Sequence, residues 1–280
     1  MLNVQQKSVA SILLLCSVLG CATPPYRGIN PANPQFERGI PCPPLDLFGD
    51  LLSKIPQILF WDFKYGNHRV SLETESEMAR FIAEYKLKDV KVRINQWAPH
   101  KEIFRLVKNT HIAWPYKIIF FPSTLLTSLI ARPFSGLLIS DYYDPGSNTI
   151  HIFSDDPAIA LHESAHALDF SDEEFTGSYA LARIVPGVNL VQERLATEEA
   201  LYYLEKHGRY EELLHAYKIL YPAYATYIIA YFPLAVPAYV GAILLGHAYG
   251  RFLAREKEYQ LKTEGKYPEK SLKLSISSPA

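Results

Sequence analysis

The sequence predicts an α+β fold, mainly helical with a small sheet. Three observations point there. Long apolar-periodic runs alternate with only a few short β-patterned stretches. One of those stretches, Asn148 to Phe153, leads straight into an apolar helical run at Pro157 to Phe170. Two helical segments of suitable composition then follow, so the strands have helices to pack against. The chain has 280 residues and a formal net charge of −1. That is long enough for one domain with a real core, and the charge points to no nucleic-acid partner.

In chain order, Lys7 precedes an apolar run from Val9 to Leu19, followed by Gly20 and Cys21. This reads as a secretory signal over residues 1–20 with a short apolar region. Val18-Leu19-Gly20-Cys21 resembles a bacterial lipobox, which implies cleavage before Cys21 and its lipidation. A plain signal peptide or an N-terminal anchor is the alternative. Removal of Cys16 and acylation of Cys21 would leave Cys42 alone, so no internal disulfide forms. Residues 21–50 are Pro-rich and read as a tether, with an ordered surface strap as the alternative.

Residues 51–218 form the expected catalytic body. Thr74-Glu75-Ser76-Glu77 looks like a capping box opening a helix with Met78, Phe81, Ile82 and Tyr85 inward. Val90, Val92 and Ile94 alternate with Lys91, Arg93 and Asn95, the pattern of a half-exposed strand. Lys101 to Lys108 reads as a helix. Ile118 to Leu138 is very apolar but broken by Pro122 and Pro133; it reads as a buried hydrophobic helix, with a membrane-dipping loop as the alternative. Ser135 to Tyr142 and Asn148 to Phe153 read as strands joined by the turn Asp144-Pro145-Gly146-Ser147.

The helix after the second strand begins with Asp156 as N-cap and Pro157 at its first position. It carries His162-Glu163-Ser164-Ala165-His166, an HExxH pattern. Positions i and i+4 share a helix face, so both imidazoles can bind one ion from one side. Two imidazoles and a carboxylate suit Zn²⁺, with one position open to water. Glu163 would stand beside that water as general base. A surface helix with two solvated histidines is the bland alternative, and the apolar surroundings argue against it.

Val188 to His207 can supply the third ligand. Glu193 shares a face with Ala196, Thr197, Ala200, Leu201 and Leu204, small and apolar residues that would let this helix approach the first. Glu198 lies with Arg194 on a charged face and is the main rival; Glu199 falls between. Asp169 shares the face of His162 and His166. It would orient an imidazole, compete as third ligand, or simply close the helix end.

An HExxH followed tens of residues later by a helical Glu is the gluzincin pattern. Glu193-Arg194-Leu195-Ala196-Thr197, continuing to Ala200, Leu204 and Gly208, resembles the ExxAD or ExxAS helix of membrane-bound gluzincins, the HtpX-like and YugP-like proteases. Ala223-Tyr224-Ala225-Thr226-Tyr227 also resembles a segment of the YugP-like proteins. The resemblance covers roughly residues 134 to 245 and is loose outside these motifs. It implies a small gluzincin-like (minigluzincin) core, with His162, His166 and Glu193 on Zn²⁺ and Glu163 as base. Thr197 stands where many relatives have Asp, so its bond to a ligand imidazole would be weaker. The resemblance also implies that a strand near the metal pairs with an extended protein or peptide substrate. For the oxyanion, Tyr179, Arg183, His151 and Tyr203 are available donors.

Residues 219–250 contain no charged side chain, and a run of ~20 apolar residues suffices to cross a bilayer. The segment reads as membrane-embedded, with a pair of helices packed on the catalytic body as the alternative. Arg251, Arg255 and Lys257 after a span would favour a cytoplasmic tail and a zinc domain outside the cytoplasm. Residues 251–280 read as a polar, solvated tail. The expected protein is a zinc metalloendopeptidase of the bacterial envelope, anchored as a lipoprotein in the inner or outer membrane. The alternative is an envelope lipoprotein with a non-catalytic zinc site that scaffolds partners.

Overall fold

The computed structural model describes residues 33–135, 139–185, 187–230 and 236–267. In chain order these form β1 (Phe36–Arg38), α1 (Pro43–Phe60), α2 (Leu72–Glu84), β2 (Lys91–Ile94), α3 (Pro99–Lys108), α4 (Trp114–Ile130), β3 (Tyr142–Asp144), β4 (Thr149–Ile152), α5 (Pro157–Ser171), α6 (Thr176–Leu181), α7 (Val188–Lys206), α8 (Tyr210–Ala230) and α9 (Val236–Thr263). The fold is α+β and mostly helical. Its four strands lie in the order β1-β2-β4-β3, with β1, β2 and β4 parallel and β3 antiparallel on the outer edge.

Helix α5 is the centre of the molecule. Asp156 caps it by accepting from Ala158 N and Ile159 N, and every residue from Ala158 to Ala167 is buried. It packs against α2, α7, α8 and β4. Leu161 and Phe170 lie in the main core with Phe81, Ile150 and Leu204. Burying such a side chain stabilises by ~1.5–3 kcal/mol.

Several expectations change. The cap of α2 is Ser71, which accepts from Thr74 N, so the helix starts before the expected box and buries Thr74, Glu75 and Glu77. Strand β2 is buried on both faces, not half-exposed. Lys91 and Arg93 tolerate this because Glu37 pairs with both and Glu102 with Arg93. Buried charges persist only with such partners. The hairpin is shorter than expected: its first strand is Tyr142–Asp144, while Ser135 and Ile139 make only an isolated bridge. The expected tether at 21–50 is, where described, the strand β1 and the beginning of α1. Of the expected buried helix over Ile118 to Leu138, the structure has α4 ending at Ile130; Ile118, Phe121 and Leu126 are exposed on it, while Phe120 packs against the core.

Within the apolar segment 219–250 the described residues form parts of two helices, α8 and α9. No helix among the described residues is long and apolar enough to cross a membrane. Instead α8 and α9 run antiparallel, crossing the expected boundary at 218 and packing on the body. The polar tail expected from 251 is helical to Thr263. Two glycines let the hairpin close. A Cβ on Gly250 would stand 2.2 Å from the Tyr217 carbonyl oxygen, and one on Gly246 2.7 Å from Pro222 Cα. Gly250→Ala should therefore destabilise by ~1–3 kcal/mol through overpacking. Gly241 lies in the same helix with nothing within 4 Å of its Cβ position, so Gly241→Ala should be neutral or stabilising. Urea unfolding midpoints of the two variants check this; equal midpoints would refute the close-packing account.

Candidate metal centre

The HExxH residues and Glu193 meet across the contact between α5 and α7. Ala196 and Ala200 are buried on the α7 face that carries Glu193, and these small side chains allow the close approach. Glu193 Oε2 lies 3.2 Å from His162 Nε2 and 3.2 Å from His166 Nε2. The imidazoles stand edge to face, 4.7 Å between centroids. Two atoms bound tetrahedrally at ~2.0–2.1 Å from one ion stand roughly 3.4 Å apart, so this spacing suits a zinc-sized cation. All three side chains are buried. Two imidazole nitrogens and one carboxylate oxygen are also the donor set that zinc takes.

The three side chains titrate differently: burial lowers His162, but its hydrogen bond to Glu193 and the charges of Glu163 and Glu193 outweigh that and raise it, so a cation would have to displace its proton. Burial resists ionisation of Glu193, but the imidazoles of His166 and His162 outweigh it and hold the carboxyl well below its usual range. Burial pushes His166 down to about 4, leaving it neutral. An ionised carboxylate and a neutral imidazole are the forms that bind metals. Burial also pushes Glu163 up to about 8. A divalent cation beside it would draw it back down.

Around this trio, Thr197 Oγ1 lies 3.4 Å from His162 Nδ1, where the sequence expects it. Arg183 Nη2 stands 3.4 Å from Glu193 Oε1 and 3.4 Å from His166 Nδ1. With a cation on Nε2, the His166 proton sits on Nδ1, so the guanidinium then serves Glu193 alone. Asp169 does not meet the imidazoles: it accepts from the Tyr179 hydroxyl at 2.8 Å and braces α5 to α6. Glu198 pairs with Arg194 on the exposed face of α7, and Glu199 accepts from the Tyr85 hydroxyl. Of the four expected oxyanion donors, Arg183 alone approaches the ligands. Tyr203 packs on Phe81 and Tyr85, and His151 stacks on Tyr142. Cys21 lies outside the described residues.

Sequence reasoning missed Tyr227. The charge of Glu193, then burial, then the charge of Glu163 push its phenol well above the usual range, so it is an electrostatic neighbour of the trio. Tyr224, one helical turn earlier, donates to Leu190 O at 3.2 Å and seats this part of α8 on the start of α7. The one available signal was a tyrosine in mid-run, which needs a polar partner.

Asp62, Asp156 and His215 form a second cluster of metal-ligand types. Here His215 Nε2 lies 2.5 Å from Asp156 Oδ2, a hydrogen-bond length too short for two atoms sharing an ion. It is a charge clasp tying α8 to the cap of α5. The hydrogen bond to Asp156, then that to Asp62, raises His215 to about 10. Glu212 also faces it. A folded value above the unfolded ~6.5 makes the contribution full below pH ~6.5 and lost as pH rises through about 10. His215→Gln should therefore flatten the fall in stability between pH 7 and 10; an unchanged slope in thermal melts would refute the clasp.

Comparison with protein-family models, with curated proteins and with solved structures finds no match to this chain.

Proposed function

We propose that this protein is a zinc-dependent metalloendopeptidase with a gluzincin-like core. The observation that carries the reading is the convergence of His162, His166 and Glu193 in a buried site, with Glu163 on the adjoining turn. A bound Zn²⁺ would polarise the scissile carbonyl and acidify a water molecule. Glu163 takes a proton from that water as its oxygen bonds to the carbonyl carbon. It then delivers the proton to the amine nitrogen as the C–N bond breaks. Glu163 is placed for both steps by its position next to His162 on the same buried helix. Arg183 steadies Glu193 from behind, leaving Oε2 toward the imidazoles. Strand β3 is one edge of the sheet, β1 being the other, and an edge strand next to β4 and α5 suits pairing with an extended peptide.

The same reading places the protein in the bacterial envelope, held by a lipidated Cys21. Its support is Lys7, the apolar run Val9 to Leu19, and the small residue before Cys21.

The test is metal content of the purified full-length protein, together with cleavage of an unstructured protein such as casein. One zinc per chain and chelator-sensitive cleavage are expected. No zinc after supply of the metal would overturn the reading. Zinc without cleavage of any peptide would leave a structural metal site in a scaffolding lipoprotein.

A further inference from the structure

Helices α1 and α4 bury small polar residues while exposing much of their apolar surface, although Phe60 of α1 lies in the core and Phe120 of α4 packs against it. The side of α1 that faces the protein carries Ser53 and Gln57, both 0% exposed. Ser53 Oγ donates to Ser135 O, and Gln57 Nε2 to Tyr65 O. Its opposite side presents Leu47 (71% exposed), Leu51, Ile55 and Ile58 at helical spacing. Helix α4 shows the same pattern. Its buried residues are Thr124 and Ser128, while Trp114, Ile118 and Leu126 are exposed. Lys117 is the single charged residue in α4. A helix on a water-facing surface has the reverse arrangement.

The two helices are joined. The Phe48 ring meets Phe134 at 5.9 Å just beyond α4, and Arg132 pairs with Asp46 at 2.8 Å. Trp97 Nε1 donates to the carbonyls of Ser128 and Leu129 at the end of α4. Apolar surface of this extent, held in place by buried polar anchors, marks a face that another apolar phase covers.

We infer that α1 and α4 lie in the interface of a lipid bilayer, apolar faces down, so that the protein is seated on the membrane as well as tethered to it. The lipid occupant rests on the lipoprotein reading of Cys21; the seating does not depend on the metal site. Eleven residues lie between Cys21 and Asn33, the first described residue. A chain of that length reaches at most ~43 Å whatever its conformation, so a lipid on Cys21 keeps Asn33 near the bilayer. Neither helix is long and apolar enough to cross, which suits lying flat. Trp114 opens α4, and Phe63, 71% exposed, follows α1; aromatic residues at helix ends favour the headgroup region.

The test uses the full-length protein, produced in a bacterium and placed in phosphatidylethanolamine–phosphatidylglycerol vesicles with a diazirine-bearing phospholipid. Photolysis and peptide mass spectrometry then locate the adducts. Adducts on 47–58 and 114–129 at least ~10-fold above those on α2 are expected. Leu51→Glu and Ile118→Glu should lower labelling of their own helices at least ~5-fold. Both side chains are exposed, so folding, checked by circular dichroism, should not change. Adducts confined to residues 1–32 would overturn the proposal, leaving the tether alone. A dimer in which α1 and α4 of two copies are protected from exchange, without lipid adducts, would also overturn it. Labelled helices with an unmodified Cys21 would support the seating and refute the lipidation reading.

Discussion

Glu163→Gln is expected to retain zinc and to lose peptide hydrolysis by roughly 10²- to 10⁴-fold, the usual contribution of a general base. In barrier terms this is about 2.7–5.4 kcal/mol. The carboxamide fills the same buried space on α5 but cannot accept a proton from water. Glu163 is not among the three converging ligand side chains, so metal content should stay at the wild-type level. The measurement is kcat/KM on a quenched-fluorescence peptide beside metal content of the same sample. Undiminished hydrolysis would place the base elsewhere and sink the mechanism. Loss of metal together with activity would make Glu163 a ligand or a structural residue instead.

Glu193→Ala should weaken zinc binding by more than ~100-fold. Losing only an outer hydrogen-bond partner of a ligand costs roughly 10–100-fold, and Glu193 is placed to touch the ion itself. The substitution also leaves Arg183 without its carboxylate partner. Glu198→Ala is the control. Its carboxylate is 54% exposed and paired with Arg194 along the helix surface, so zinc affinity should be unchanged. Stability should move by less than ~0.5 kcal/mol. Competition against a chromophoric chelator measures both variants. A loss on Glu198→Ala with none on Glu193→Ala would reverse the ligand assignment.

Which of these two carboxylates faces the imidazoles was legible in the sequence. Glu193 recurs with Ala196 and Ala200 on one side of α7, and Glu198 with Arg194 on another; helical periodicity alone separates them. The local capping of α5 was equally legible, because Asp156 and Pro157 act through backbone groups two or three residues away. The strand β2 misled for the opposite reason. Its alternating Lys and Arg look like a wet face, and only Glu37 and Glu102, distant in sequence, turn that face into buried ion pairs. The uncharged run 219–250 misled similarly. An uncharged run of that length reads as a span until Gly246 and Gly250 fold it against α8.

What the sequence determined by itself is the chemistry available at α5: two imidazoles and a carboxylic acid on adjoining helical positions, started by its own N-cap. These depend on interactions within a turn or two, and those are written in neighbouring residues. The tertiary structure decided everything that joins distant segments. It brought Glu193 Oε2 to within 3.2 Å of both imidazoles, set Arg183 beside them, and sent Asp169 to Tyr179. It also decided which side of α1 and α4 faces outward. An apolar stripe on a helix states only that it must leave water; whether protein or lipid receives it depends on which face the polar anchors, Ser53, Gln57, Thr124 and Ser128, hold against the body.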